Sequence, residues 1–259
     1  MSARWRLRFR RRASGSGRHP VVALAGNPNT GKTTLFNRLT GMRQHTGNWP
    51  GKTVLRTEGV CLSPFGTFRI IDLPGTYTLL AATAEERVAR DFICFGQPDA
   101  TIVMADATAL ERHLTLVLQV MEITNRIVVC VNLIDEAQRK GVAVNTGALE
   151  ESLGVPVVAT SARSGSGVTE LMRAVRQVVD GRIELRPRQV TYGELVEQAV
   201  DDVIAMMDPM LAAHVNSRWL ALRLLEKDHT VFEALREYLT ERDMPQDTLM
   251  DGILALAGR

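Results

Sequence analysis

The feature that most constrains this chain is the run at residues 26–33, GNPNTGKT, which directly follows a short apolar segment. It has the form G-x-x-x-x-G-K-T, and an apolar helix start, Leu35 and Phe36, comes soon after it. Between a strand and a helix, such glycines let backbone N–H groups surround phosphate oxygens, while the lysine supplies a cation and the threonine a hydroxyl for Mg²⁺. The run therefore predicts a phosphate-binding loop at the carboxyl end of a strand.

Short β-branched segments alternate with helical patterns from residue 21 to residue 179. This alternation is typical of an α/β fold in which helices flank a mostly parallel sheet. The predicted strands are 21–25, 54–62, 68–72, 100–106, 127–132 and 155–160. Each ends in a polar cluster, and open α/β sheets carry their chemistry beyond the carboxyl ends of the strands.

Only helical periodicity remains after residue 191, and the alternation stops within residues 181–188. After residue 191, apolar residues recur at helical spacing, so each predicted helix has one apolar face to bury. The expected organisation is an arginine-rich flexible head at 1–20, a nucleotide-binding α/β domain at 21–181 and a small C-terminal α-helical bundle domain at 182–259.

The charge of the chain is unevenly distributed. The formal net charge is +2, yet residues 1–20 hold seven arginines and no acidic residue, which leaves −5 for the remainder. A mildly acidic body argues against a broad nucleic-acid-binding face. The head is interpreted either as a disordered tail, a start-site artefact or an expression remnant, or as a contact for anionic lipid headgroups. No apolar run approaches the ~20 residues that a membrane-spanning helix needs, so the chain as given is expected to be soluble and cytosolic.

Three more motifs close later strands. Residues 72–75 (DLPG) place a carboxylate where it can hold Mg²⁺ through water, and a glycine N–H where it can face a γ-phosphate. Residues 132–135 (NLID) have the N-x-x-D form, in which a carboxylate accepts two hydrogen bonds from guanine, whereas adenine has no such donor pair. Residues 160–162 (TSA) would offer backbone N–H to the guanine oxygen. Taken singly, these sequences are also common in turns and helix caps.

All four motifs occur in order at strand ends, and this arrangement resembles the translation-factor class of P-loop GTPases, the class that contains Ras. The resemblance implies a guanine nucleotide, GTP or GDP, together with Mg²⁺. Such proteins carry a threonine between the lysine and the aspartate that contacts both Mg²⁺ and the γ-phosphate. The candidates here are Thr46 and Thr53.

Residues 45–54 (HTGNWPGKTV) resemble the segment G-N-W-P-G-x-T-V, which is typical of the FeoB family of ferrous iron transporters, and the family's switch I threonine then corresponds to Thr53. Further similar segments are 72–79 (DLPGTYTL), 86–91 (ERVARD), 110–112 (LER) and 218–221 (RWLA). Two positions depart from the family pattern, Leu133 in place of Met and Ala109 in place of Asn, and neither carries nucleotide chemistry. From about residue 21 to its end, the chain is similar to the N-terminal cytosolic GTPase domain of FeoB with its helical GDI-like domain.

The motifs and the resemblance together give the predicted site. Catalytic roles are assigned to Lys32, Thr53, Gly75 and Asn29. The predicted nucleotide-binding residues are Gly26, Asn27, Pro28, Asn29, Thr30, Gly31, Lys32, Thr33, Thr34, Thr53, Asp72, Gly75, Asn132, Asp135, Ser161 and Ala162. The predicted metal ligands are Thr33, Thr53 and Asp72 for Mg²⁺, and Asn29 for K⁺.

The FeoB resemblance also implies how the domain works. Thr76 stands where Ras-like enzymes have a water-orienting Gln, so intrinsic hydrolysis is expected to be slow. FeoB resembles the potassium-activated GTPases, in which an Asn at the position of Asn29 helps to bind K⁺; a loop-structuring role for Asn29 is the alternative. GTP would order two switch segments, 43–58 and 75–90, and hydrolysis would release them. The helical domain would stabilise bound GDP and relay the switch state, or act only as a spacer.

The implied partner is the transmembrane permease part of the same transporter, which is absent from this chain, and the implied location is the cytoplasmic face of the bacterial inner membrane. No nucleic-acid partner is expected, membrane contact is expected only through the full-length protein or the head, and an oligomer is left open. The main alternative function is an RNA-associated GTPase of ribosome assembly. A small-molecule kinase ranks last, because it would leave residues 132–135 without a role. Trp49 is expected to lie as a flap near the nucleotide.

Overall fold

The computed structural model describes residues 18–42, 44–49 and 52–241, so most of the predicted head and residues 242–259 lie outside the described residues. The strands are β1 Val21–Gly26, β2 Gln44–Asn48, β3 Leu55–Ser63, β4 Gly66–Asp72, β5 Ala100–Asp106, β6 Ile127–Asn132 and β7 Val157–Ala159. The helices are α1 Lys32–Thr40, α2 Ala84–Phe95, α3 Leu110–Ile123, α4 Ile134–Arg139, α5 Thr146–Leu153, α6 Val168–Asp180, α7 Glu194–Ala205, α8 Pro209–Ala212, α9 Ser217–Leu225 and α10 His229–Glu241.

The strands form one sheet in the order β2-β3-β4-β1-β5-β6-β7. β1 lies between β4 and β5 and is parallel to both, and β6 and β7 continue in parallel beyond β5. β2 and β3 pair antiparallel at the other end of the sheet. Leu24 is opposite Asp72 and Asp106 is opposite Asn132, so the carboxyl ends of β1, β4, β5 and β6 reach the same edge. The predicted α/β sheet, mostly parallel and flanked by helices, is confirmed.

The core holds this edge in place because it covers both faces of the central strands. β1 and β6 are buried along their whole lengths. On one face, α1 and α6 share a single apolar cluster with β1, β5 and β6, to which the helices contribute Phe36 and Val175. On the other face, Val21 and Ala23 of β1 are buried as well. Burial of a large apolar side chain contributes about 1.5–3 kcal/mol, so displacing the strands that carry the motifs would cost many such contacts.

Two strands differ from the sequence prediction. β2, Gln44–Asn48, was not predicted, because all five of its residues are exposed and the sequence QHTGN has no apolar alternation. Its strand conformation comes from antiparallel pairing with residues 55–59 of β3. The predicted strand at 155–160 is shorter, since only Val157–Ala159 pairs with β6.

The described residues divide into two compact units. One contains the residues up to 121 and 125–188, and the other contains 122–124 and the residues from 189 onward. Residues 182–188 lie in the first unit, where Arg186 and Arg188 donate backbone hydrogen bonds of 3.1 and 2.9 Å to the carbonyls of Gly154 and Leu153. The predicted division lay earlier, at 181, because the strand and helix pattern stops there.

The second unit is helical, as predicted. Its helices α7 and α9 are joined by Arg218, whose guanidinium lies 2.5 and 2.9 Å from the two carboxylate oxygens of Glu197. The hydrogen bonds from Arg218 hold the pKa of Glu197 down at about 2. Trp219, Leu220 and Leu235 are buried within this unit. No helix in the described part of the chain is both long and apolar enough to cross a bilayer.

Candidate nucleotide-binding site

The loop that the sequence predicts to bind phosphate lies between β1 and α1. Asn29 and Gly31 have positive φ angles of 67° and 84°, which fold the backbone back on itself. Gly31 is the N-cap of α1 and has no side chain that could cap the first-turn N–H groups, so these groups remain for the oxygens of a ligand. Thr33 and Thr34 follow on this first turn and are exposed.

A buried amide supports the fit of an anionic ligand to this loop. The side chain of Asn27 is 1% exposed, and neither its Oδ1 nor its Nδ2 has a hydrogen-bond partner among the described residues. Thr30 donates to the Asn27 carbonyl at 2.8 Å and so holds the loop closed on itself. Buried polar atoms without partners are costly, and of these two atoms Nδ2 is the donor that an anionic ligand can satisfy.

Asn132 joins the phosphate loop to the predicted base loop. Its Nδ2 donates to the Thr30 carbonyl at 2.8 Å, and its Oδ1 accepts from Thr160 Oγ1 at 3.0 Å and from the Ala162 N–H at 2.9 Å. The approach to the loop is so close that a Cβ atom added at Gly31 would collide with Asn132 Nδ2. A single buried amide therefore fixes the distance between the two loops.

We expect Asn132→Ala to lower the free energy of unfolding by about 3 kcal/mol, because it leaves three buried polar groups without their partner. Urea denaturation at pH 7 measures this. The matched control is Asn145→Ala, which removes an exposed N-cap hydrogen bond to the Ala148 N–H and should cost about 1 kcal/mol. Equal losses in the two variants would show that Asn132 is no more important to the fold than an ordinary cap.

Lys32 and Asp72 form an ion pair across the site. Lys32 Nζ lies 2.5 Å from Asp72 Oδ1 and 2.7 Å from the Leu73 carbonyl oxygen. The two side chains are only 11% and 15% exposed. Burial raises the pKa of Asp72, and the two influences that lower it, charge and hydrogen bond, both come from Lys32. The pair brings the predicted phosphate cation next to the predicted metal-side carboxylate.

The turn after β4 packs against the phosphate loop. The Thr76 N–H donates to the Gly26 carbonyl at 3.3 Å, and Thr76 itself is buried. A Cβ atom at Gly75 would lie 3.5 Å from Pro28, so this exposed glycine borders the loop directly. The structure thus brings residues 72–76 together with residues 26–32.

Asp135 lies in the first turn of α4, and Leu133 before it has a positive φ of 62°. The Ile134 N–H donates to the Thr160 carbonyl at 3.2 Å, which holds the start of α4 beside the base loop. The Asp135 carboxylate is half-buried and makes no hydrogen bond to any residue that the structure describes. It is free to accept from the edge of a base.

The base loop uses two of its N–H groups internally. Ser161 donates to the Ser166 carbonyl at 3.0 Å, and Ala162 donates to Asn132 Oδ1. The next N–H, that of Arg163, donates to none of the described residues. Ser161 and Ala162 were predicted from the sequence to donate their N–H groups to a base. In the structure, the N–H without an acceptor among the described residues is that of Arg163.

Thr53, the predicted switch I residue, is not joined to the rest of the predicted site by any described contact. It is exposed, as is Thr46 on β2, and neither makes a described hydrogen bond to the phosphate loop or to Asp72. Trp49 is not a flap, because it is 1% exposed and stacks edge-on against Phe92 of α2 at 5.3 Å between ring centroids. Lys52 lies 3.2 Å from Asp91 of the same helix. The segment around Thr53 is therefore tied to α2.

One residue of the site was missed. Arg38 of α1 contacts the base loop. It was not predicted, because an arginine in the last turn of an amphipathic helix is normally a solvent-exposed cation. Its spacing gave no signal either, because it lies six residues after Lys32 and residues that far apart on a helix do not share a face.

Comparison with known proteins gives a consistent result over both units. Residues 20–175 match the family described as "Ferrous iron transport protein B", and residues 192–249 match the family described as "FeoB cytosolic helical domain". The Fe(2+) transport protein A/Fe(2+) transporter FeoB fusion protein of Porphyromonas gingivalis is 37% identical over 211 residues, which cover 80% of this chain and 25% of that protein. The Fe(2+) transporter FeoB of Salmonella typhimurium is 38% identical over 216 residues, 80% of this chain and 27% of that protein. The chain thus spans about a quarter of the length of these curated relatives.

Solved structures agree in fold. The cytosolic domain of the T. maritima FeoB iron transporter in GDP form II has a TM-score of 0.77 and 35% identity, covering 93% of this chain and 94% of that one. Its GMPPNP form has a TM-score of 0.76 and 33% identity, with 92% and 98% covered. The cytosolic domain of L. pneumophila FeoB has a TM-score of 0.73 and 30% identity, with 92% and 96% covered.

Proposed function

The chain belongs to the FeoB family of ferrous iron transport proteins, and on that premise we propose that it binds GTP and hydrolyses it to GDP and phosphate. The observation that carries the proposal is the meeting of four groups at one sheet edge. These are the phosphate loop with the buried Asn27 amide, the pair of Lys32 with Asp72, the free carboxylate of Asp135, and Asn132 between the two loops. The GDP and GMPPNP forms of the T. maritima relative support the same ligand class here.

The phosphate side of the site would hold the triphosphate. Backbone N–H groups at the start of α1 would bind its oxygens, and Lys32 would move its cation from Asp72 toward the β and γ oxygens. The Thr33 hydroxyl and Asp72, with Thr53 from switch I, would hold Mg²⁺, which supplies positive charge against the phosphates when bound. The Gly75 N–H would face the γ-phosphate, and the position of Gly75 next to Pro28 of the phosphate loop supports this role.

The base side of the site would select guanine. The Asp135 carboxylate can accept from the ring N–H and the exocyclic amine, and a backbone N–H of the base loop can donate to the ring oxygen. Adenine offers the opposite pattern and would leave both protein groups unpaired, which a desolvated site rejects strongly.

Hydrolysis in this site is expected to be slow without a further cation. Thr76, in the position of the water-orienting Gln, is buried and held against Gly26, so its side chain is poorly placed to align water. Asn29 is exposed on the phosphate loop with a positive φ, where its side chain is available to a K⁺ ion beside the phosphates.

We expect K⁺ to stimulate GTP hydrolysis about tenfold over Na⁺, and Asn29→Ala to remove most of that stimulation. Phosphate release with Mg²⁺ in matched K⁺ and Na⁺ buffers measures both effects. Asn145→Ala, which changes the exposed N-cap residue of α5, is the matched control and should keep the K⁺ response. If K⁺ and Na⁺ give equal rates with the unsubstituted chain, Asn29 loses its proposed role, and the chain is still a GTPase.

We also propose that this GTPase regulates the transport of ferrous iron by a transmembrane permease in the same transporter, at the cytoplasmic face of the bacterial inner membrane. The names of its relatives support this, and the chain covers about a quarter of their length. Segments 43–58 and 75–90 would act as the switches, and the helical unit would relay their state or stabilise bound GDP. Trp49 and Lys52 contact Phe92 and Asp91 of α2, the helix in which segment 75–90 ends, and this supports joint movement of the two switches.

A further inference from the structure

Arg38 holds the base loop through two successive carbonyl groups. Its Nε donates to the Ala162 carbonyl and its second terminal nitrogen donates to the Arg163 carbonyl, each at 2.6 Å. Hydrogen bonds from a charged guanidinium are about twice as strong as neutral ones, and the planar fork fixes the direction of both acceptors. Arg38 belongs to α1, whose first residue is Lys32, so the phosphate loop and the base loop are joined by one rigid helix as well as by Asn132.

The Ala162 carbonyl and the Arg163 N–H belong to the same peptide group. Peptide groups are planar, and the chain has no cis peptide bond in its described part, so this C=O and this N–H point in opposite directions. A cation that holds the carbonyl on one side therefore fixes the direction of the N–H on the other side. That N–H is the first in the loop without an internal acceptor.

Gly165 leaves the space that this contact needs. A Cβ atom added there would lie 2.7 Å from a terminal nitrogen of Arg38, and the φ of +92° is one that other residues rarely adopt. The loop thus closes around the guanidinium, with the Gly165 N–H donating back to the Ser161 carbonyl at 2.8 Å.

We propose that Arg38 is a positioning residue for base recognition, which orients the Ala162–Arg163 peptide so that the Arg163 N–H donates to the six-position oxygen of guanine. The inference rests on the proposed function and deepens it, because it assigns the donor for that oxygen and the group that aims it. Arg38 does not touch the nucleotide itself. Its loss lets the peptide rotate, and the hydrogen bond to the base oxygen is then made at an added entropic cost.

The test uses three nucleoside diphosphates that differ at the base edge. GDP has the six-position oxygen and the two-position amine, inosine diphosphate has only the oxygen, and 2-aminopurine riboside diphosphate has only the amine. We expect Arg38→Gln to raise the Kd for GDP and for inosine diphosphate about fivefold, and to leave the Kd for the 2-aminopurine nucleotide unchanged. Most of the change should appear as faster dissociation. Competition against a fluorescent GDP and stopped-flow release measure these quantities.

Gln is chosen because its helix propensity is close to that of Arg, and Arg38 is exposed, so the variant should fold. Arg38→Lys keeps the charge but not the fork and should lose about half of the effect on a logarithmic scale. The matched control, Arg176→Gln, removes an arginine of α6 that pairs with Asp180 and should bind all three nucleotides normally.

Each outcome has a separate meaning. An equal loss for all three nucleotides would make Arg38 a general support of the site and would overturn the proposal. Unchanged binding of GDP by Arg38→Gln would overturn it as well. If the unsubstituted chain does not prefer GDP to ADP, the proposed function itself fails, and this is visible before any variant is measured.

Discussion

Replacing Lys32 by Ala is expected to lower kcat/KM for GTP hydrolysis about 10³-fold, or about 4 kcal/mol of transition-state stabilisation. In the proposed mechanism, the ammonium would lie beside the β and γ oxygens, since Lys32 is the first residue of α1 at the sheet edge. Phosphate release under single-turnover conditions measures the loss. The control is Lys140→Ala, which removes an exposed lysine at the end of α4 and should hydrolyse GTP at the normal rate.

The same substitution should lower the free energy of unfolding by about 2 kcal/mol, because it removes the partner of a carboxylate that is only 15% exposed. Adding Asp72→Asn should restore stability by removing the unpaired charge, and it should not restore hydrolysis. The double variant therefore separates the structural role of the pair from its role in catalysis. If Lys32→Ala hydrolyses GTP within about tenfold of the parent rate, the reaction does not take place at the phosphate loop.

Replacing Asp135 by Asn is expected to invert base preference from guanine to xanthine, with the ratio of GTP to XTP affinity falling at least about 10³-fold. An amide at this position turns an N–H toward the guanine amine, where both groups are donors. Xanthine has a carbonyl in place of that amine and can accept from the same N–H. Competition binding with the two triphosphates measures the ratio.

Asp135→Ala is the companion variant, since it should lose GTP without gaining XTP. Both variants should keep the stability of the parent chain, because the Asp135 carboxylate hydrogen-bonds no described residue and is half-exposed. A variant Asp135→Asn that still prefers GTP would show that the carboxylate does not read the base.

Local sequence was enough to predict most of the sheet edge. A strand, a glycine-bounded turn and a helix start are all decided within residues 21–36, and the structure has β1 and α1 there. Asp72 and Asn132 are the last residues of β4 and β6, and Asp135 comes three residues after β6, so their position at the edge follows from the strands. β2 could not be predicted in this way, because its polar residues become a strand only by pairing with β3.

Contacts between residues that are far apart in the chain could not be predicted from the sequence. Arg38 reaches carbonyls 124 and 125 residues later in the chain, and backbone carbonyls leave no mark in a sequence. The packing of Trp49 against Phe92 depends likewise on the path of a segment that has no regular pattern of its own.

The sequence by itself determined the family, the α/β class, and the residues proposed to bind phosphate, metal and base, because each motif is a short run whose backbone shape is set locally. The tertiary structure decided which atoms face one another across the site. It paired Lys32 with Asp72 over 40 residues, placed Asn132 between two loops, and left the Arg163 N–H as the free donor of the base loop. These arrangements depend on the order of strands in the sheet and on the closeness of its packed helices, which only the folded chain brings about.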